Sequence, residues 1–160
     1  KDRSGNRSNY MTWGHVEIPG RSNRLSVYAT EAYYTGPDSR VRRFEYRKDG
    51  FVSIRGGTKG GQLTTKPITL GRLAERLTLN YQADKNGAIH VALETQDGAS
   101  IPGFTLTECK PLEGDSLHQN ITWKNGSDIS ALRRRHPVIR LKFKITNADL
   151  YALQFQPWLR

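Results

Sequence analysis

The chain has 160 residues, 36% of them apolar, which suits one domain or one domain with part of a neighbour. No run of 18 apolar residues occurs, which excludes a membrane-spanning helix, and the single cysteine, Cys109, excludes an internal disulfide framework and a cysteine-based zinc site. Lysine and arginine number 25 against 15 aspartates and glutamates, a net charge of +10. The excess runs along the whole chain, and such a surface favours polyanions: nucleic acid, anionic lipid, or acidic or sulfated polysaccharide.

Strand signals dominate from the start. Residues 24–34 (RLSVYATEAYY), 41–47 (VRRFEYR) and 50–55 (GFVSIR) alternate polar with apolar, aromatic or β-branched side chains. Residues 76–82 (RLTLNYQ) put Leu77, Leu79 and Tyr81 on one face, and residues 88–95 (AIHVALET) do the same with Ile89, Val91 and Leu93. Residues 138–145 (VIRLKFKI) and 150–156 (LYALQFQ) complete the series. On these faces Leu79, Tyr81, Val91, Leu93, Leu141, Phe143, Tyr151, Leu153 and Phe155 are the expected core.

Turn chemistry separates the runs at residues 36–38, 48–50, 85–87 and 96–98. Asn86-Gly87, between two alternating runs, predicts a hairpin. Helix is scarce: residues 127–132 predict one turn with Ser127 or Asp128 as N-cap, and residues 71–74 another. A glycine-rich stretch at residues 55–61 suggests a domain boundary nearby. About three strands precede it, too few for a stable core, and more follow it. The pattern predicts an all-β fold, with residues 62–156 in a two-sheet antiparallel β-sandwich of jelly-roll or concanavalin-like type and extra N-terminal strands.

Common catalytic motifs are absent. There is no GxSxG, no HExxH and no GxxxxGK[ST]. The histidines His15, His90, His118 and His136 are scattered. Glycoside hydrolysis needs two carboxylates about 5–9.5 Å apart. Glu31, the Glu94 and Asp97 pair, and the Glu113 and Asp115 pair are the candidates, each also readable as a solvated or turn carboxylate.

An ordered series of short motifs carries a resemblance. It comprises residues 6–14 (NRSNYMTWG), 28–34 (YATEAYY), 42–44 (RRF), 49–53 (DGFVS), 63–67 (LTTKP), 79–81 (LNY), 101–104 (IPGF), 114–116 (GDS), 123–124 (WK) and 149–151 (DLY). Together these resemble the C-terminal region of large secreted bacterial proteins described as glycoside hydrolases, in which a five-bladed β-propeller precedes a β-sandwich. The resemblance implies that residues 1–47 correspond to the last propeller strands and residues 48–160 to the sandwich. It implies a secreted or periplasmic location, a polysaccharide partner and a catalytic propeller domain on the N-terminal side. A propeller glycosidase draws its carboxylates from several blades, so the chain alone is expected to be non-catalytic.

Sugars stack their apolar faces on flat rings while polar neighbours bond the hydroxyls. Trp13, Trp123 and Trp158 are the expected glycan platforms, with Tyr10, Tyr33 and Tyr34 as further candidates; Trp123 reads equally as core. In residues 138–145 the alternation sets Arg140, Lys142 and Lys144 opposite Ile139, Leu141 and Phe143. That row is either an aggregation-deterring edge or a cationic track for sulfated or uronic-acid chains. Asn147 and Asp149, in the tight Asn-Ala-Asp segment before the last strand, are the expected ligands of a structural calcium, or else hold a turn through backbone N–H groups.

The leading expectation is a non-catalytic, carbohydrate-binding accessory sandwich of a polysaccharide-degrading protein, favouring anionic glycans. The alternatives are a piece of a glycoside hydrolase whose active site needs the missing blades, and a purely structural module. Nucleic-acid binding is permitted by the charge but has no RNA- or DNA-binding motif behind it.

Overall fold

The computed structural model describes residues 10–33, 37 and 39–158. It is nearly all β and divides into two compact units, Lys1–Phe51 and Val52–Arg160. The division falls four residues beyond the expected 47/48 boundary.

The first unit is a three-stranded antiparallel sheet in the order β1 (Val16–Ile18), β2 (Arg21–Glu31), β3 (Arg40–Arg47). β2 pairs with β3 from Arg24↔Arg47 to Glu31↔Arg40. Its alternation buries Val27 and Ala29. The strand stops at Glu31, earlier than the sequence suggested, because Ala32 turns into the left-handed region at φ +56°. Tyr34 lies outside the described residues.

The second unit holds a six-stranded antiparallel sheet, with order β4 (Ile54–Gly56), β9 (Val138–Gln156), β7 (Arg76–Thr95), β8 (Asp115–Asn120). β5 (Gly61–Thr64) and β6 (Ile68–Thr69) also pair with β9. The single helix among the described residues, α1 (Leu132–Arg135), precedes β9. It starts later than expected: Ala131 is its N-cap, while Asp128 accepts the N–H of Ser130 one turn earlier. Residues 71–74 form a turn, with Ala74 N–H on the Gly71 carbonyl.

The predicted hairpin at Asn86-Gly87 does not form. Residues 76–82 and 88–95 belong to one strand, and each half pairs with a half of β9 instead of with the other. The same holds for residues 138–145 and 150–156, which are one strand. Between Ala83↔Ala148 and Ala88↔Thr146, four residues of β7 bulge opposite Asn147 alone. Asn86 at φ +63° and Asn147 at φ +43° supply the left-handed backbone that the bulge needs.

A straight strand of β7's length would span about 65 Å at ~3.3 Å per residue. A unit of this size has a radius of gyration of only about 13 Å. The strands therefore bend at the bulge, and both halves turn their apolar faces to one core, as in sandwiches whose strands pass from layer to layer. Leu77, Leu79 and Tyr81 from one half meet Ile89, Val91 and Leu93 from the other, with Ile139, Leu141, Phe143 and Ile145 of β9. Leu153 and Phe155 pack against this cluster but are only partly buried. Tyr151, expected in the core, is half-buried: it is skipped in the pairing, where Asn80 faces Ala152 and Tyr81 faces Leu150. The expected all-β sandwich is present; the jelly-roll arrangement is not confirmed.

Candidate functional site

The cations of β9 lie on a central strand, not at an edge, with β7 on one side and β6, β5 and β4 in turn on the other. Two of the three are engaged. Arg140 donates its Nε–H to the Gln96 carbonyl at 2.8 Å. Lys142 lies 3.3 Å from the largely buried carboxylate of Glu94. Lys144 is exposed and stands opposite His90 on β7 and Gln62 on β5. Partial burial, reinforced by the Lys144 charge, pushes the His90 imidazole below its ordinary pKa.

The metal expectation assumed a tight segment before the last strand. Asn147 and Asp149 instead lie inside β9, at the bulge. Asp149 accepts hydrogen bonds from Ser53 Oγ at 2.8 Å and Arg55 Nη1 at 2.5 Å, and Arg55 also reaches Asp84 at 2.5 Å. The Asp149 carboxylate thus serves an arginine that clamps β4 to the bulge.

The three tryptophans separate cleanly. Trp123 has no exposed surface, its indole N–H donates to the Val91 carbonyl at 2.8 Å, and Phe104 packs edge-on against it at 5.2 Å. It is a core residue, and its ring is out of a sugar's reach. Trp13 is fully exposed, in the first unit. Trp158 is 39% exposed, and its backbone N–H donates to Glu75 Oε2 at 2.7 Å. The Arg76 guanidinium sits 5.2 Å from the centre of its ring, a cation–π stack. Arg76 faces Gln156 across the sheet and Gln154 is exposed, while Thr78, opposite Gln154, is buried and donates its hydroxyl to the Gln154 carbonyl at 3.2 Å. Gln156 donates to Gln154 at 2.8 Å.

The end of the unit around Trp158 is assembled from three distant segments. Glu75 N–H bonds the Gln156 carbonyl, Ile129 N–H bonds the Glu75 carbonyl, and Leu70 N–H bonds the Pro137 carbonyl. Arg133 reaches the Arg72 carbonyl at 3.2 Å. Arg72, Arg76, Arg133, Arg134 and Arg135 are thereby brought to one end of the unit. None of the five is in an ion pair with a described residue. The acidic side chains of the same segments are occupied, Glu75 by Trp158 N–H and Asp128 by Ser130 N–H.

The carboxylates singled out in the sequence are mostly engaged. Glu31 pairs with Arg40 at 2.8 Å and Arg42 at 3.0 Å, and Glu94 pairs with Lys142. A cleft of about 300 Å³ runs between β8 and residues 110–113, lined by Tyr81, Lys110, Leu112, Glu113, Gln119 and Asn120. Glu113 is its one carboxylate. Tyr81 donates its hydroxyl to the Glu113 backbone carbonyl at 2.7 Å. Cys109 is buried, donates its thiol to the Lys110 carbonyl and accepts the Val91 N–H, and burial pushes its pKa up, which favours an unreactive thiol.

No family model, curated protein or solved structure matches the chain. The resemblance to propeller-bearing glycoside hydrolases rests on the sequence motifs alone.

Proposed function

We propose that the second unit is a non-catalytic β-sandwich accessory module that binds polysaccharide, within a secreted polysaccharide-degrading protein. The observation that carries this reading is the setting of Trp158. A partly exposed indole held by a backbone anchor and by a stacked guanidinium loses little freedom when a sugar ring lies on it. The exposed Gln154 and the half-buried Gln156 lie on the adjoining strand and offer amide groups for sugar hydroxyls. The first unit supports the accompanying partner, an N-terminal propeller domain. Its exposed Met11, Trp13, Val16 and Val41 are apolar surface of the kind that further strands cover.

The test is affinity electrophoresis of the whole chain through gels containing neutral and charged polysaccharides, for the wild type and Trp158→Ala. The reading expects retardation by at least one polymer and roughly tenfold weaker binding by the variant, about 1.4 kcal/mol. No retardation by any polymer contradicts the binding function. Unchanged retardation of a folded Trp158→Ala protein removes the platform.

A further inference from the structure

We propose that the arginine cluster around Trp158 recognises the anionic groups of the bound polysaccharide, so that the ligand is a sulfate- or carboxylate-bearing glycan; this rests on the polysaccharide reading above. Five guanidinium groups come from residues 72–76 and 133–135, joined by the Arg133–Arg72, Ile129–Glu75 and Leu70–Pro137 hydrogen bonds. Arg72, Arg134 and Arg135 are exposed. Arg76 has a buried Nε with no hydrogen-bond partner and uses its face on Trp158 instead.

Five arginines against the carboxylates of Glu75 and Asp128 leave an excess of positive charge that repels itself, and folding alone gives little reason for it. Arginine at a helix C-terminus does favour the macrodipole, but α1 is a single turn of four residues, whose dipole asks for no three cations. Several arginines elsewhere sit in ion pairs: Arg40 and Arg42 share Glu31, Arg21 and Arg43 share Glu45, and Arg55 bridges Asp84 and Asp149. At this end the carboxylates of the same segments, Glu75 and Asp128, bond backbone N–H groups and keep their charge, which leaves the five arginines in excess. The guanidinium fork donates two parallel hydrogen bonds to an oxyanion, and its weak hydration lowers the cost of releasing water. A polymer with a charge on successive sugars would meet several forks while one ring stacks on Trp158.

Nucleic acid is the less suitable polyanion. Single-strand tracks stack successive bases on several rings, and Trp158 is the one exposed tryptophan of this unit. A four-residue helix is too short to read a major groove.

The experiment compares two charge-matched variants of the whole chain. Arg72→Gln/Arg134→Gln/Arg135→Gln removes three exposed cations of the cluster. Arg140→Gln/Lys142→Gln/Lys144→Gln removes three from β9. The probes are dextran sulfate, polygalacturonate, unsubstituted dextran and oligothymidylate, at low and at physiological salt, with circular dichroism as the folding control. The proposal expects the wild type to prefer an anionic polysaccharide over dextran. It expects the cluster variant to weaken that binding at least tenfold and the β9 variant less than threefold. Equal losses in the two variants mean that net charge alone is read, and overturn it. Tighter binding of oligothymidylate than of either anionic polysaccharide overturns it in favour of nucleic acid. Binding of dextran as strong as of the charged polymers overturns the cluster's role but leaves the polysaccharide reading standing. No binding of any polysaccharide overturns both.

Discussion

Gly87 of β7 lies directly against the backbone carbonyl of Asn147 of β9, with no room for a Cβ between them. The contact is where two long strands bend together, and it lets both halves of the sheet share one core. Gly87→Ala must push the strands apart or straighten the bulge. The expected cost is at least about 1 kcal/mol, in the range of ~1–3 kcal/mol seen for forced overpacking. Urea unfolding followed by tryptophan fluorescence checks this. A loss below a few tenths of a kcal/mol would mean that the bulge is not the pinned corner described.

The same residues show why the fold was only partly legible. Strand location was readable, because the sequence alternates with period two in residues 76–82, 88–95 and 138–145, although Thr78, Asn80, Ala92 and Glu94 on the second face of β7 are buried as well. The connection between them was not. Asn-Gly signals left-handed backbone and a missing side chain, and a hairpin turn and a long bulge use those properties equally. What decides is the partner strand, some sixty residues away, which no local pattern reveals. The site follows the same logic. Trp158 stood out by itself, and residues 133–136 (RRRH) were visible as a basic run. That Arg72, Arg76 and Glu75 join them depends on hydrogen bonds between residues about sixty to eighty positions apart. Conversely, the β9 cations were placed on the correct face, but their partners Glu94 and Gln96 come from across the sheet.

Trp123 separates stability from binding. Trp123→Phe removes the indole N–H that reaches the Val91 carbonyl and leaves a small void beside Phe104. The expected destabilisation is about 2 kcal/mol, from one lost buried hydrogen bond and a partial cavity. Polysaccharide binding by the folded variant should equal the wild type's. A folded Trp123→Phe protein with abolished binding would return this residue to the site and contradict the assignment.

His90 makes stability depend on pH. Burial and Lys144 lower its folded pKa beneath the unfolded value, so the folded state prefers neutral imidazole. The unfolded chain then binds more protons in the window between the two values, and stability rises with pH there. The contribution is fully present above the unfolded pKa, near 6.5, and is lost as pH falls through it toward the lower folded value. Melting temperatures between pH 8 and pH 5 should therefore fall more steeply for the wild type than for His90→Gln. Parallel profiles would show that His90 titrates alike in the folded and unfolded chain.

The most direct measurement is a nuclear magnetic resonance titration of the ¹⁵N-labelled chain with a sulfated oligosaccharide, following the three indole N–H signals and the arginine Nε–H signals. The account predicts shifts concentrated at Trp158 and at the arginines of residues 72–76 and 133–135, with the buried Trp123 signal unmoved. Shifts confined to the β9 row around Lys144, or to Trp13 in the first unit, with Trp158 unperturbed, would contradict it.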